Sequence, residues 1–179
     1  MINHQWPDAE QLRSDRLLLE PLHRDHADEA FPLLDDPRLH TFTGGAPDTR
    51  EQLAARFARQ VVGASPDGQH GWLNWMLRQR DGGRLVGTVQ ATLTWAEIHL
   101  VERTGTTEAE LAWVIGHDHQ GNGYATEAAA AVLAWLTARG VRRISAHIHP
   151  DHHASAALAR RLGLHPTDCI VDGELLWTS

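Results

Sequence analysis

Lysine is absent from this chain of 179 residues; all 16 basic residues are arginine. A phosphate loop of the Gly-Lys-Ser/Thr kind is therefore excluded. Cysteine is nearly absent too. Cys169 stands alone, so no disulfide can form within the chain, and a reducing, cytoplasmic home is the simple expectation. Long apolar runs are missing: the longest, Ala128 to Leu136, has nine residues against the roughly 20 that cross a bilayer. The opening MINHQWPDAE has no basic segment followed by an apolar one, so no signal peptide and no membrane partner are expected. A basic excess is also lacking. The 23 acidic residues outweigh the arginines to a formal charge of −7, which argues against nucleic acid and anionic lipid as partners. There is no internal repeat and no low-complexity segment.

What is present suits an ordinary folded domain. The hydrophobic fraction is 42%, too high for a disordered chain. A chain of this length buries roughly two-thirds of its unfolded surface, so one domain over residues 1–179 is expected, with no metal or disulfide needed to hold it. Thirteen histidines would carry the formal charge to about +6 in mild acid, so solubility should change there.

The periodicity alternates between strand and helix. Arg16 to Leu22 reads as a first strand closed by Pro21, and His26 to Leu34 as a short helix. After a Gly/Pro-rich turn at Thr43 to Pro47, Asp48 or Thr49 can cap a helix running to about Val62, with Leu53, Phe57 and Val61 spaced by four. Trp72 to Leu77, the turn Asp81-Gly82-Gly83 and the stretch from Leu85 to Trp95 read as a hairpin. Thr107 to Gly116 alternates cleanly: Ala109, Leu111, Trp113 and Ile115 face one way, Glu108, Glu110, Ala112 and Val114 the other. A strong helix follows, its apolar stripe running from Ala125 through Val132 to Leu136, stopped by Gly140. Ile144 to His149 is a strand, Asp151 can cap a last helix ended by Gly163, and a hairpin near Asp172-Gly173 closes the chain. This is a mixed α/β layout, antiparallel first and βαβ later.

The sharpest local signal lies between the strand and the strong helix, in IGHDHQGNGYATEA (115–128). Two glycines there allow left-handed backbone and close approach, and the free N–H groups of a helix start favour an anion, above all a phosphate. A bare G-x-G is equally well a plain strand-to-helix turn. The dinucleotide fingerprint fails for want of a third glycine.

Gln120-x-x-Gly123-x-Ala125 resembles the acetyl-CoA loop of the GNAT superfamily of N-acetyltransferases. Four further segments fall in the family's order. RLLLEPL resembles its first strand, Leu85-Val86-Gly87-Thr88 the strand before the catalytic one, and Ala109 to Ile115 the catalytic strand. Pro150-Asp151-His152-His153-Ala154-Ser155 with Arg161-Leu162-Gly163-Leu164 resembles P-D-N-x-x-S … K-L-G-F. The wording is nearest the branch that contains ribosomal-protein N-terminal acetyltransferases. The resemblance implies the GNAT acyl-CoA N-acyltransferase fold, a mixed sheet of six to seven strands with about four helices. It implies acetyl-CoA as cosubstrate, its pantetheine arm along Trp113, Val114 and Ile115. The pyrophosphate would lie on Gln120, Gly121, Asn122, Gly123, Tyr124, Ala125 and Thr126, with His152 and Ser155 near the thiol end. It implies direct attack of an amine on the thioester in a ternary complex, with Glu110 as base. Glu108 or water is the competing choice, and Ser155 would be hydrogen-bond donor to the sulfur. The tyrosine many relatives use as acid is replaced here by Ala159, and His152 stands where the family has Asn.

Other readings of these residues are open. Glu108 and Glu110 also suit the solvated side of a half-exposed strand, and Ser155 a purely supporting place in its helix. Without the tyrosine, an acyl-CoA-binding domain lacking efficient turnover is the alternative function. His147-Ile148-His149-Pro150-Asp151-His152 spells H-x-H-x-D-H, the first motif of a metal-dependent hydrolase, but only 27 residues follow it, and beyond the adjoining His153 they hold a single histidine, His165, so no metal is assigned. Trp72, Trp75, Trp95 and Trp113 read as core or pocket wall, Tyr124 as packed at the loop, and Cys169 as a buried bystander. The acceptor, a small-molecule amine or a peptide N-terminus, would meet the loops at Phe42 to Pro47 and Gly63 to Gly71. The negative net charge suits a cationic one. A homodimer is compatible with the family.

Overall fold

The computed structural model describes residues 6–95 and 107–179. Among them are eight strands in one sheet, four α-helices and two 3-10 turns. The strands are β1 (Leu12–Arg13), β2 (Leu17–Pro21), β3 (Gly71–Gln79), β4 (Leu85–Trp95), β5 (Thr107–Ile115), β6 (Arg143–Ile148), β7 (His165–Val171) and β8 (Glu174–Thr178). The helices are α1 (His26–Leu34), α2 (Arg50–Gln60), α3 (Tyr124–Ala138) and α4 (His153–Arg161). The sheet order is β1-β2-β3-β4-β5-β6-β8-β7, antiparallel except for the β5–β6 pair. The expected six to seven strands become eight because Leu12–Arg13 pairs briefly with Leu18 and Leu19; two residues are too few to leave a periodic signal. No helix among the described residues is long and apolar enough to cross a membrane.

Strand alternation divides the interior in two. Leu17, Leu19, Trp75, Leu77, Val89 and Leu111 bury their side chains with Val132 and Leu136 of α3 in the larger core. On the opposite face Met76 and Leu85 meet Ala30 of α1 and Leu53 and Phe57 of α2. The i, i+4 spacing of Leu53 and Phe57 puts both on the buried side of α2, and Thr49 and Gln52 close its start with a reciprocal capping box. Arg78 ties α1 to the sheet by hydrogen bonds to Glu20 and Glu29, both at 3.0 Å or less.

Three local expectations change. His152, not Asp151, caps α4, its Nδ1 accepting from the Ser155 amide at 3.4 Å. Cys169 is exposed, because β7 is the last strand of the sheet and nothing covers its outer edge among the described residues. Of the four tryptophans, Trp75 is fully buried, whereas Trp95 is 41% exposed, stacked on Trp6 at 4.9 Å.

The β5 strand keeps full antiparallel register with β4, from Trp95↔Thr107 to Gly87↔Ile115. Gly87 makes this possible: a Cβ there would collide with the Val114 carbonyl oxygen and the Ile115 side chain. A Gly87→Ala substitution is expected to destabilise the protein by about 1–3 kcal/mol through this overpacking, and the midpoint of chemical denaturation checks it. An unchanged midpoint would show that β5 can shift at no cost.

Candidate active site

Parallel pairing of β5 with β6 covers Glu108↔Arg143, Ala109↔Ile144 and Glu110↔Ser145 and then stops. Beyond that point β5 stays on β4, while β6 stays on β8 through Ile148↔Leu175. Each strand is held by its outer edge and the inner edges part. The backbone groups that face each other across the gap have no strand partner, which is costly unless something occupies the slot. Adjacent amides on a strand point to opposite edges. Of the Val114 and Ile115 N–H groups, therefore, one points toward the slot.

The slot opens toward the loop before α3. Gly121 and Gly123 both take left-handed backbone, φ +77° and +79°. Gln120 donates its side-chain amide to the Ile115 carbonyl at 3.0 Å, and Asn122 donates to the His119 and Gln120 carbonyls. These two side chains hold the loop's shape, and Gly123 gives α3 no side-chain cap. From Gly121 to Thr126, six consecutive backbone N–H groups donate to nothing among the described residues. A left-handed turn that runs into an uncapped helix start gathers such groups into an anion cradle.

A carboxylate in the same first turn, Glu127, would repel an anion if it were free. It is occupied instead. Ser14 Oγ and the Arg16 amide donate to its Oε1 at 2.6 and 2.7 Å, and the Arg16 guanidinium donates to its Oε2 at 2.7 Å. Burial raises the Glu127 carboxyl, but the hydrogen bonds from Ser14 and Arg16 overrule it and leave it below its ordinary range. The same guanidinium donates to the Asn122 carbonyl at 2.9 Å and lies 4.8 Å above the Tyr124 ring, whose hydroxyl accepts from Gln79. Tyr124 therefore packs at the loop, as expected. Neither Arg16 nor Glu127 carried a site signal in the sequence, because their pairing spans 111 residues.

At the slot's other wall, Trp113 Nε1 donates to Ser155 Oγ at 3.1 Å, joining β5 to α4 across the gap. An indole N–H only donates, so the serine oxygen acts as acceptor and its proton finds no acceptor among the described residues. His152 stacks on Phe42 at 4.3 Å, which brings the α1–α2 connection over the start of α4. Burial, then the neighbouring His149, lowers the pKa of His152 and favours the neutral ring that capping needs. Ala159 is fully buried against the core.

Glu110 stands at the last paired position before the split, half exposed, with its Oε1 3.2 Å from His147 Nδ1. Glu108 is drawn to Arg143 instead, at 3.3 Å. The histidines of H-x-H-x-D-H are thereby dispersed. His147 turns to Glu110, His149 lies past the end of β6 and accepts from the Asp151 amide, and His152 caps α4. No group of three or more potential metal ligands is gathered among the described residues.

On the side of the sheet that carries Glu110, a cavity of about 240 Å³ lies between α1, α2 and the floor formed by Asn74, Thr88, Gln90 and Val114. Val114 is 39% exposed there. The α1–α2 connection contributes Thr43 and Asp48, but α2 itself supplies Arg56 and Gln60, which sequence reasoning missed. Their i, i+4 spacing was the signal that could have found them.

The protein thus combines an anion cradle that leads into a slot between strands with a cavity on the other face of the sheet. The model of the acetyltransferase (GNAT) domain matches residues 16–165. The chain belongs to the GNAT acetyltransferase family and is an acyltransferase; acetyl-CoA is the family's cosubstrate. Among curated relatives it is 28% identical over 159 residues to the uncharacterized protein YkkB of Bacillus subtilis, covering 87% of this chain and 85% of that one. Among solved structures it is similar to a GNAT-family acetyltransferase from Bordetella pertussis (27% identity, TM-score 0.68, 94% and 98% of the two chains). It also shares its fold with RimL, a ribosomal L7/L12 alpha-N-protein acetyltransferase in complex with coenzyme A (14% identity, TM-score 0.70, 95% and 97%).

The Arg16–Glu127 contact yields a pH-dependent expectation. A carboxyl held below its ordinary value of 4.5 contributes stability that is complete above that value and is lost as the pH falls through the folded pKa. With Arg16 half exposed, Glu127→Gln should cost about 1 kcal/mol at neutral pH. The gap to wild type in denaturation midpoints should narrow below about pH 4.5. A gap independent of pH would refute the charge-based account.

Proposed function

We propose that the protein is an N-acetyltransferase in which a primary amine attacks the acetyl thioester of acetyl-CoA directly, in a ternary complex. The observation that carries this reading is the run of six unsatisfied amides, Gly121 to Thr126, opening onto the gap between β5 and β6. The pyrophosphate is assigned to those amides, with Gln120 and Asn122 as supports of the loop rather than direct ligands. Ala125 and Thr126 contribute through their backbone at the helix start. The pantetheine arm is assigned to the slot edge of β5 at Trp113, Val114 and Ile115.

In the reaction the amine nitrogen forms a bond to the acetyl carbon and the carbon–sulfur bond breaks. The incoming ammonium first loses a proton, and Glu110, directly or through one water, is the assigned base. His147 at 3.2 Å would orient that carboxylate, while Glu108, drawn to Arg143, is the weaker candidate. Charge builds on the carbonyl oxygen, and the slot-facing N–H of Val114 or Ile115 would stabilise it, a donor worth about 3 kcal/mol. The departing thiolate would receive the hydrogen bond of the Ser155 hydroxyl, whose oxygen is already engaged by Trp113. His152, kept neutral by burial, is assigned to the wall beside the thiol end. The acceptor class, a small-molecule amine or a peptide N-terminus, is assigned to the cavity over Gln90 and Val114.

The alternative of acyl-CoA binding without turnover draws on Ala159, which removes the phenol many relatives use as acid. Thiol release from acetyl-CoA with a panel of amines separates the two. Amine-stimulated release should fall by roughly 10²-fold or more in Glu110→Gln, while CoA still raises the melting temperature of that variant. Heat protection by CoA with no amine-stimulated release in the wild type would establish binding alone.

A further inference from the structure

We infer that the acceptor amine carries an anionic group, a carboxylate or a phosphate, held by Arg56 and Arg59 of α2. This inference rests on the acetyltransferase reading and narrows its substrate class.

Arg56, Arg59 and Gln60 sit at i, i+3 and i+4 of α2 and so share one helix face. That face lies over the β3–β4 ladder, where Trp72 pairs with Thr92 and Asn74 with Gln90. Together they enclose a second cavity of about 240 Å³, which shares Arg56, Gln60, Asn74 and Gln90 with the first. Among the described residues its lining holds two guanidiniums and no carboxylate. In a chain of net charge −7, that local composition runs against the whole.

Neither arginine is fully spent. Arg56 Nε lies 3.2 Å from Asp48 Oδ2, yet both atoms are buried without a hydrogen bond, and the terminal nitrogens of Arg56 have no hydrogen-bond partner among the described residues. Arg59 has no ion-pair partner among the described residues. Guanidinium groups so placed offer parallel N–H donors that match the oxygens of a carboxylate or phosphate. The three side-chain amides of Gln60, Asn74 and Gln90 can satisfy a polar connecting chain.

The register sets the length of that chain. Thr92 of the cavity wall pairs directly with Glu110, so both stand on one face of the sheet. Neighbouring strands are about 4.8 Å apart, which places the Trp72–Thr92 row one to two spacings, roughly 5–10 Å, from the assigned base. An amine with its anion several bonds away, such as an ω-amino acid, a peptide with an acidic residue near its N-terminus or a phosphorylated amine, spans the distance. The net charge of the protein favours cations at long range, but at this cavity Asp48 offsets only Arg56, and Arg59, without an ion-pair partner among the described residues, sets the local preference.

The test uses the full chain with acetyl-CoA and four amines of matched length: aminohexanoate, the phosphate ester of aminohexanol, hexylamine and hexanediamine. Thiol release gives kcat/KM for each. At least one anionic amine is expected to exceed hexylamine tenfold or more, and the ranking of the carboxylate and phosphate arms identifies which anion the site takes. The anionic-to-neutral ratio should fall in Arg59→Gln and invert toward hexanediamine in Arg59→Glu, with CoA-dependent heat protection showing that both variants fold. Hexylamine or hexanediamine equal to the anionic amines, or a ratio unmoved in both variants, overturns this inference and leaves acetyl transfer standing. No thiol release with these amines or with the broader panel overturns acetyl transfer and this inference with it.

Discussion

The parting of β5 from β6 after Glu110↔Ser145 is the constraint on which the site depends. Pairing along the whole of β6 would seal the sheet; three paired positions leave a slot. The strands can part because neither relies on the other. The register of β5 is fixed over its whole length by β4, and the end of β6 is fixed by β8. The separation also needs a bridge, and the Trp113–Ser155 hydrogen bond supplies one between β5 and α4. Unpaired backbone inside a folded protein is tolerated where a ligand or water completes it, and the proposed pantetheine site uses that tolerance.

Charge is placed with similar economy at the loop before α3. Lysine is absent, and the loop presents instead backbone N–H groups without partners among the described residues, whose partial positive charge at a helix start favours an anion. The cost is an acidic residue in the first turn, Glu127, and Arg16 offsets it. One guanidinium thereby neutralises Glu127, holds the Asn122 carbonyl and covers the Tyr124 ring, joining β2 to the loop before α3. Over the β3–β4 floor Arg56 and Arg59 of α2 stand with fewer partners, and the proposed selection of an anionic acceptor rests on that difference.

Much of the fold was legible in the residues. The alternation of Thr107 to Ile115, the bounds of α1, the Thr49 cap of α2, the helical stripe from Ala125 to Leu136 and the closing hairpin all follow from period and capping chemistry. The two-residue β1 does not, since it exists only as a partner of β2. The cap of α4 was misplaced by one residue because aspartate and histidine can both accept from a helix amide, and only the backbone path decides which one does. A late place in the closing hairpin predicts a buried bystander at Cys169, but a strand at the end of the sheet has one edge with nothing to pack on among the described residues.

The candidate site divides along the same line. Sequence alone placed Gln120 to Thr126 together, put Glu108 and Glu110 on one face and set Ser155 in the last helix, because each of these is a relation within a single element or a single turn. Which carboxylate stands where the strands divide, that His147 and not His149 meets Glu110, that Arg16 neutralises Glu127, and that two arginines of α2 overlook the β3–β4 ladder are relations between segments up to 111 residues apart. Period and propensity act over a few residues. Contacts of that span depend on strand order and on the direction in which each helix returns to the sheet, and only the assembled tertiary structure decides them.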